Sequence, residues 1–361
     1  MAHWTWGFVR VDKMTHKIYI AGITATGKTT TAGKLSEFLK IPFVSLDEAY
    51  KKIGDEIRCK PEDARHLIWP QTLQLHRQWK ELLKEAYAEV LAPIKDKDAI
   101  IEGFSLGNVY KRSIIDEILG THKKTFFVLQ PPIDQWMSNY RANGVKATDD
   151  ELRAVYDKWE AFESPPDKYW KVPDTNRLFA NYEPYQRQGL TDVKWKQLQV
   201  GGLRGQTVLD VGCNSGWIGK FCMENGASEV TGVDYNWRYL QDAADAGYAH
   251  TILADLNDTG TLRRELRKYD RVFCLATLHH IKNKPGLIEF LSSRTIKECI
   301  IEMPISGKPG IDEESYNGLK IPTMDLMKIW LNAAFKSAEA IGRAISPDGD
   351  KSTRYIFKCQ K

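Results

Sequence analysis

Val208-Leu209-Asp210-Val211-Gly212-Cys213-Asn214-Ser215-Gly216 joins an apolar run to a glycine turn, and a helix-forming stretch follows to about Asn225. A short continuous apolar run bounded by turn residues reads as a buried strand. Further strand-like runs follow downstream. Glu229–Val233 ends at Asp234, and His250–Ala254 ends at Asp255 and Leu256. Tyr269–Ala276 opens into Thr277-Leu278-His279-His280, and Glu298–Glu302 comes later. Ala338–Gly342 and Thr353–Cys359 flank Pro347-Asp348-Gly349-Asp350, a hairpin signal. Alternating strands and helices predict an α/β domain over about 194–361, with acidic residues at successive strand ends.

A chemically different strand-loop-helix unit lies near the N-terminus. Lys17–Ala21 reads as a buried strand, Gly22-Ile23-Thr24-Ala25-Thr26-Gly27-Lys28-Thr29 satisfies G-x-x-x-x-G-K-[ST], and a helical stretch runs to Leu39. Backbone N–H groups of Gly22, Thr24, Ala25, Thr26, Gly27, Lys28, Thr29 and Thr30, together with the helix N-terminus, can surround the phosphates of ATP. Lys28 would neutralise β/γ oxygens and the Thr29 hydroxyl would join a Mg²⁺ shell. Pro42–Leu46 ends at Asp47, which could hold or deprotonate an acceptor hydroxyl or cap the helix that follows. Ala99–Phe104 places Glu102 at a strand end, where it could order Mg²⁺ or its water. Thr125–Leu129 leads into a helix whose Arg141 would lie over the phosphates like a lid. Arg58, Arg65 and Arg112 are candidates to grip an acidic acceptor.

The 361 residues carry 42% hydrophobic and 27% charged side chains, the composition of an ordinary globular chain of two to three domains. A net charge of +4 permits phosphate-bearing ligands and falls short of a surface built to coat nucleic acid. Six scattered cysteines without a C-x-x-C pair indicate neither zinc nor a disulfide framework. With no apolar run of membrane-spanning length and no secretory pattern at Met1–Trp6, a cytoplasmic protein without membrane contact is expected. Residues 164–188 are rich in Pro, Tyr, Trp and Asn. The expected division is 15–170, an aromatic-rich linker over 171–193, and 194–361.

The N-terminal motifs resemble the adenylate/shikimate/nucleoside kinase group of P-loop proteins, which implies γ-phosphoryl transfer from ATP to a small acceptor. The strand end carries glutamate where that group usually has aspartate, and paired lid arginines are not evident. The C-terminal strand ends resemble class I S-adenosylmethionine (SAM)-dependent methyltransferases, implying a Rossmann-like sheet. In that resemblance Asp210, Gly212, Cys213, Asn214 and Gly216 form the donor loop, Asp234 meets the ribose hydroxyls, and Asp255 and Leu256 meet the adenine. His279 or His280 could take a proton from the acceptor. There is no [DNS]-P-P-[aromatic] element at the fourth strand and no Pro-Cys nucleophile, which argues against amine or C5 methylation of a base.

The two motifs together predict a bifunctional kinase and methyltransferase working on a small molecule or nucleotide in one pathway. The alternatives are modification of nucleic acid, such as a tRNA base or end group, and a methyltransferase regulated by a nucleotide-binding domain.

Overall fold

The computed structural model describes residues 14–22, 25–56, 73–103, 106, 109–144, 146–160, 169–172, 175–179, 188–307, 313–316, 319–344 and 354–361. The chain divides into two compact units, Met1–Phe179 and Ala180–Lys361.

In the first unit β1 (His16–Ala21), α1 (Lys28–Leu39), β2 (Phe43–Ser45), α2 (Asp47–Glu56), α3 (Leu73–Leu91), β3 (Ala99–Glu102), α4 (Val109–Leu119) and β4 (Lys123–Leu129) follow in order. Then come α5 (Ile133–Ala142), α6 (Asp149–Glu160) and β5 (Trp170–Val172). The strands form one parallel sheet ordered β2-β3-β1-β4-β5. β1 and β3 are buried on both faces, as continuous apolar runs in a parallel sheet require. Lys17 is the polar exception: its fully buried ammonium donates to the carbonyls of Ile94 at 2.7 Å, Lys95 at 3.2 Å and Lys97. It thereby satisfies the end of the turn before β3. Burial lowers the Lys17 pKa, against the pull of Asp98 and Asp96.

β5 crosses the expected boundary between residues 170 and 171 and adds a fifth strand to this sheet, so Lys171 and Val172 belong to the first unit and not to a linker. Phe127 and Trp170 pack with ring centroids 5.6 Å apart, and Phe179 meets Phe38 edge-on at 5.7 Å. The aromatic residues that looked like a connector serve as packing surface for the first unit, and the division falls at Phe179.

The second unit contains α7 (Gln188–Gln197), β6 (Thr207–Val211), α8 (Trp217–Glu224), β7 (Glu229–Asp234), α9 (Trp237–Asp245), β8 (His250–Leu253), α10 (Thr259–Glu265) and β9 (Tyr269–Leu275). It continues with α11 (Lys284–Arg294), β10 (Thr295–Pro304), β11 (Glu313–Tyr316), β12 (Leu319–Pro322), α12 (Met324–Ala334), β13 (Ser337–Arg343) and β14 (Arg354–Gln360). Seven strands form one sheet ordered β13-β14-β10-β9-β6-β7-β8, in which β14 runs antiparallel to both neighbours. The expected terminal hairpin is this β13–β14 pair; the turn at Pro347–Asp350 lies outside the described residues. The separate β11–β12 hairpin carries no strong signal in the sequence.

Trp136 is fully buried against Tyr140 and Tyr156 in a small cluster between α5 and α6. Trp136→Ala is expected to cost about 3–5 kcal/mol, the usual range for truncating a buried large aromatic. A lowered urea midpoint would be the measured sign.

Candidate functional site

β6 delivers Asp210, and the chain then turns sharply. Gly212 has φ 74°, and the amides of Gly212 and Cys213 both donate to the Val233 carbonyl, at 2.8 and 3.0 Å. A Cβ at position 212 would lie 2.1 Å from the Thr277 hydroxyl oxygen, so only glycine fits. Asn214 is left-handed (φ 47°), a conformation asparagine tolerates better than most residues. Its amide donates to Asp234 Oδ2 at 3.0 Å, and the Asn236 amide donates to Oδ1 at 2.9 Å. Gly216 (φ 80°) starts α8. The loop is thus held to the ends of β7 and β9 by backbone bonds and close contact.

Asp210 and Asp234 are both buried beneath this loop. Burial pushes the Asp210 carboxyl up to about 7, against a 2.6 Å hydrogen bond donated by the Tyr248 hydroxyl. Burial also raises Asp234, opposed by the backbone amides of Asn236, Asn214 and Tyr235. The thiol of Cys213 is buried, and burial with the two carboxylates holds it well above the ordinary thiol range. Cys213 therefore contributes backbone to the loop and no reactive sulfur.

Asp255 is partly exposed and accepts from the amide and side chain of Asn257, both at 2.9 Å, while Leu256 is buried. Beside Asp234, Tyr235 is 56% exposed, an aromatic face that the sequence reading overlooked.

Past the fourth strand of this sheet, Ala276 adopts φ 52° and leads into the turn holding His279 and His280. Left-handed alanine is a strained choice, and strain of this kind collects at functional turns. His279 is buried and its Nδ1 has no hydrogen-bond partner. Burial, then His280, Arg354 and Lys284, lower its pKa to about 3. The ring is therefore neutral at physiological pH and a weak base. His280 lies 4.0 Å away ring to ring and reaches the surface, and partial burial of its ring, then Arg354 and Lys284, lower its pKa.

Glu302, almost completely buried in β10, pairs with Lys194 of α7 at 2.6 Å and with Arg354 of β14 at 3.5 Å. Lys194 also lies 5.9 Å from the Trp217 ring centroid, and Trp195 stacks on Phe221. Neither Lys194 nor Arg354 stood out in the sequence, because each lies far along the chain from the Glu302 that it meets.

In the first unit Gly22 is pressed against Thr26: a Cβ there would lie 2.5 Å from the Thr26 hydroxyl oxygen. Ala25 and Gly27 are left-handed (φ 66° and 78°), and α1 opens with no side-chain cap and no acidic residue in its first turn. Such a helix start carries the positive end of the helix dipole. Lys28 is buried, and Thr29 and Thr30 are exposed; Thr24 lies outside the described residues. The Thr29 hydroxyl donates to Glu102 Oε1 at 3.2 Å. Glu102 is fully buried and its Oε2 has no hydrogen-bond partner. Its pKa is raised by burial and by Asp47, and held back by Ser45, Lys28 and Thr29.

Asp47 is the first residue of α2, and its amide donates to Ser45 Oγ at 3.3 Å. Buried Lys111 lies 5.0 Å from the Tyr50 ring centroid; burial lowers its pKa to about 8 while Asp47 raises it. It too was missed in the sequence. Arg141, expected over the phosphates, pairs with exposed Asp149 of α6, whereas Asn139 of the same helix donates to the loop carbonyl of Ala25 at 3.3 Å. Arg112 is committed to the Leu106 carbonyl at 2.8 Å and lies 5.9 Å from the Phe126 ring centroid, while Arg58 and Arg65 lie outside the described residues.

Residues 208–293 match the model of a methyltransferase domain family. The second unit therefore carries a methyltransferase-type domain on its α/β sheet. The chain is 27% identical over 165 residues to a tRNA U34 carboxymethyltransferase from Pseudomonas savastanoi pv. phaseolicola, covering 40% of this chain and 50% of that protein. It is 28% identical over 151 residues to a ubiquinone biosynthesis O-methyltransferase from Alkalilimnicola ehrlichii, covering 39% of this chain and 56% of that one. The chain spans about half the length of these curated relatives. Magnesium protoporphyrin IX methyltransferase from Synechocystis, solved with bound S-adenosylhomocysteine, aligns at TM-score 0.38 and 18% identity, covering 52% of this chain and 92% of that one.

Gly212→Ala forces a side chain into Thr277 at a positive φ. It is expected to weaken SAM binding at least about tenfold, a loss of roughly 1.4 kcal/mol or more. Titration calorimetry, with circular dichroism as the folding check, measures it.

Proposed function

We propose that the second unit methylates a tRNA nucleotide from SAM, and that the first unit binds ATP·Mg²⁺ and transfers its terminal phosphoryl group. The tRNA reading is carried by the relatives whose name specifies tRNA U34. It displaces the small-molecule acceptor that composition and charge favoured. The ubiquinone O-methyltransferase relative keeps a second reading open, with a small-molecule hydroxyl as acceptor.

The glycine cradle at 212, closed to any side chain, and the acidic residues Asp210, Asp234 and Asp255 around it suit SAM: close backbone approach with carboxylates for its cations and hydroxyls. SAM supplies a methyl group already activated on a sulfonium, so the chain's task is alignment and exclusion of water. Tyr235 offers an exposed ring beside Asp234 for the adenine face. Neutral His279 can orient an acceptor by a hydrogen bond from or to Nδ1, whereas its low pKa makes proton capture near neutrality unfavourable.

In the first unit, the unsatisfied carboxylate oxygen of Glu102 next to the Thr29 hydroxyl suits Mg²⁺, which takes hard oxygen ligands and often only one or two from protein. ATP supplies the phosphoryl group. Lys28 and the start of α1 hold its charge, and Asp47, one residue past Leu46, is placed to receive an acceptor hydroxyl proton.

The decisive test is incubation of total tRNA and, separately, a tRNA-free metabolite extract with methyl-labelled SAM and ATP·Mg²⁺, followed by mass spectrometry. Label in tRNA nucleosides is the expected outcome; label confined to metabolites would overturn the tRNA reading. Lys28→Ala is expected to weaken ATP binding at least about tenfold, because it removes a charge-assisted contact to phosphate, while SAM binding is unchanged by equilibrium dialysis. Between pH 6 and 8, methylation rates of wild type and His279→Asn are expected to run parallel, because a group titrating near 3 is already deprotonated throughout that range.

A further inference from the structure

Tyr248 belongs to none of the motifs, yet it fills the space beneath the donor loop. It lies between α9 and β8 and is 2% exposed. Three glycines make room for its ring: a Cβ would lie 2.9 Å from it at Gly216, 2.3 Å at Gly219 and 2.8 Å at Gly232. Its hydroxyl accepts from the Gly219 amide at 2.9 Å and donates to Asp210 Oδ2 at 2.6 Å. Gly219 is the third residue of α8, so its N–H is one of those a helix start leaves without an intrahelical partner. The hydroxyl therefore links the positive end of α8 to a buried carboxylate, and a donor polarised in this way gives the stronger hydrogen bond.

We propose that Tyr248 is a positioning residue of the donor site, which keeps the Asp210 carboxylate ionised and in one orientation for the cationic methionine end of SAM. The inference rests on the reading of this unit as a SAM site.

The titratable groups facing Asp210 are Asp234 at the end of β7, Cys213 in the loop, Cys222 of α8, Cys274 of β9 and Tyr248. Asp234 disfavours its charge, the thiols are held protonated by burial and offer no positive charge, and the Tyr248 hydrogen bond favours ionisation. With that bond the carboxyl titrates at about 7 in the ligand-free chain. Without the hydroxyl it titrates higher, so at pH 7 the protonated form grows and attraction for the ammonium and sulfonium is lost. Raising the pH restores it.

The test is SAM binding by titration calorimetry from pH 6 to 9 for wild type, Tyr248→Phe, Asp210→Asn and the double variant. Tyr248→Phe keeps the ring and is expected to bind SAM about fivefold more weakly at pH 7, the consequence of raising by roughly one pKa unit a carboxyl that is half ionised there, and to recover to within about twofold of wild type at pH 9. Asp210→Asn is expected to bind weakly with no pH dependence over this range, and adding Tyr248→Phe to it changes nothing further. A loss in Tyr248→Phe that is equal at every pH, or full additivity with Asp210→Asn, would reduce the tyrosine to packing and overturn the proposal. If Tyr248→Phe does not fold, Asp210→Asn still decides: wild-type pH dependence in that variant overturns the inference. A wild-type chain that binds no SAM sinks the donor-site reading first, and is told apart from these outcomes by that alone.

Discussion

At Gly212 the backbone passes so close to Thr277 that no side chain can stand between them, and this contact sets the geometry of the second unit. It brings the carboxyl end of β6 against the turn beyond β9, while two amides of the same loop bond the Val233 carbonyl at the end of β7. Three strand ends therefore meet at one point. In open α/β sheets a crevice at that end is where ligands bind, and the flanking acidic residues converge there because the strands do.

Convergence has an electrostatic cost. Asp210 and Asp234 lie together under a loop that excludes water, and burial raises both. The fold answers with oriented donors instead of cations: backbone amides for Asp234 and a tyrosine hydroxyl for Asp210. Elsewhere in this unit it uses ion pairs. Glu298 is nearly buried and meets Arg271 and, at 3.4 Å, Lys358, while Glu302 meets Lys194 and Arg354. Breaking one partner of such a pair leaves an uncompensated charge, which costs far more than a surface pair is worth.

The first unit solves a related problem with fewer charges. Its glycine loop leads into a helix with no side-chain cap, and Glu102 keeps one oxygen unsatisfied in a fully buried position. An unpaired buried carboxylate oxygen is costly in a resting protein. Its neighbours Ser45, Thr29, Asp47 and Lys28 come from three different elements, so the cluster exists only in the folded sheet.

The strands, the glycine turns and the acidic residues at strand ends were legible in the sequence, because they depend on local pattern: continuous apolar runs for buried parallel strands, and glycine where φ must be positive or backbones must touch. The same locality explains what was misread. Lys171 and Val172 fall in the expected linker because a three-residue edge strand has too short a period to show, and only pairing with β4 defines it. Arg141 sits on the expected helix, but whether it or Asn139 meets the loop depends on how that helix packs. Likewise Tyr248, Lys111 and the Lys194–Glu302–Arg354 cluster carry no signature, since each owes its role to neighbours distant in the chain. The sequence by itself determined the two α/β patterns and their loops, through rules that act within a few residues. The tertiary structure alone decided which charges are buried together, and so their protonation, because desolvation and hydrogen bonding are properties of the packed neighbourhood.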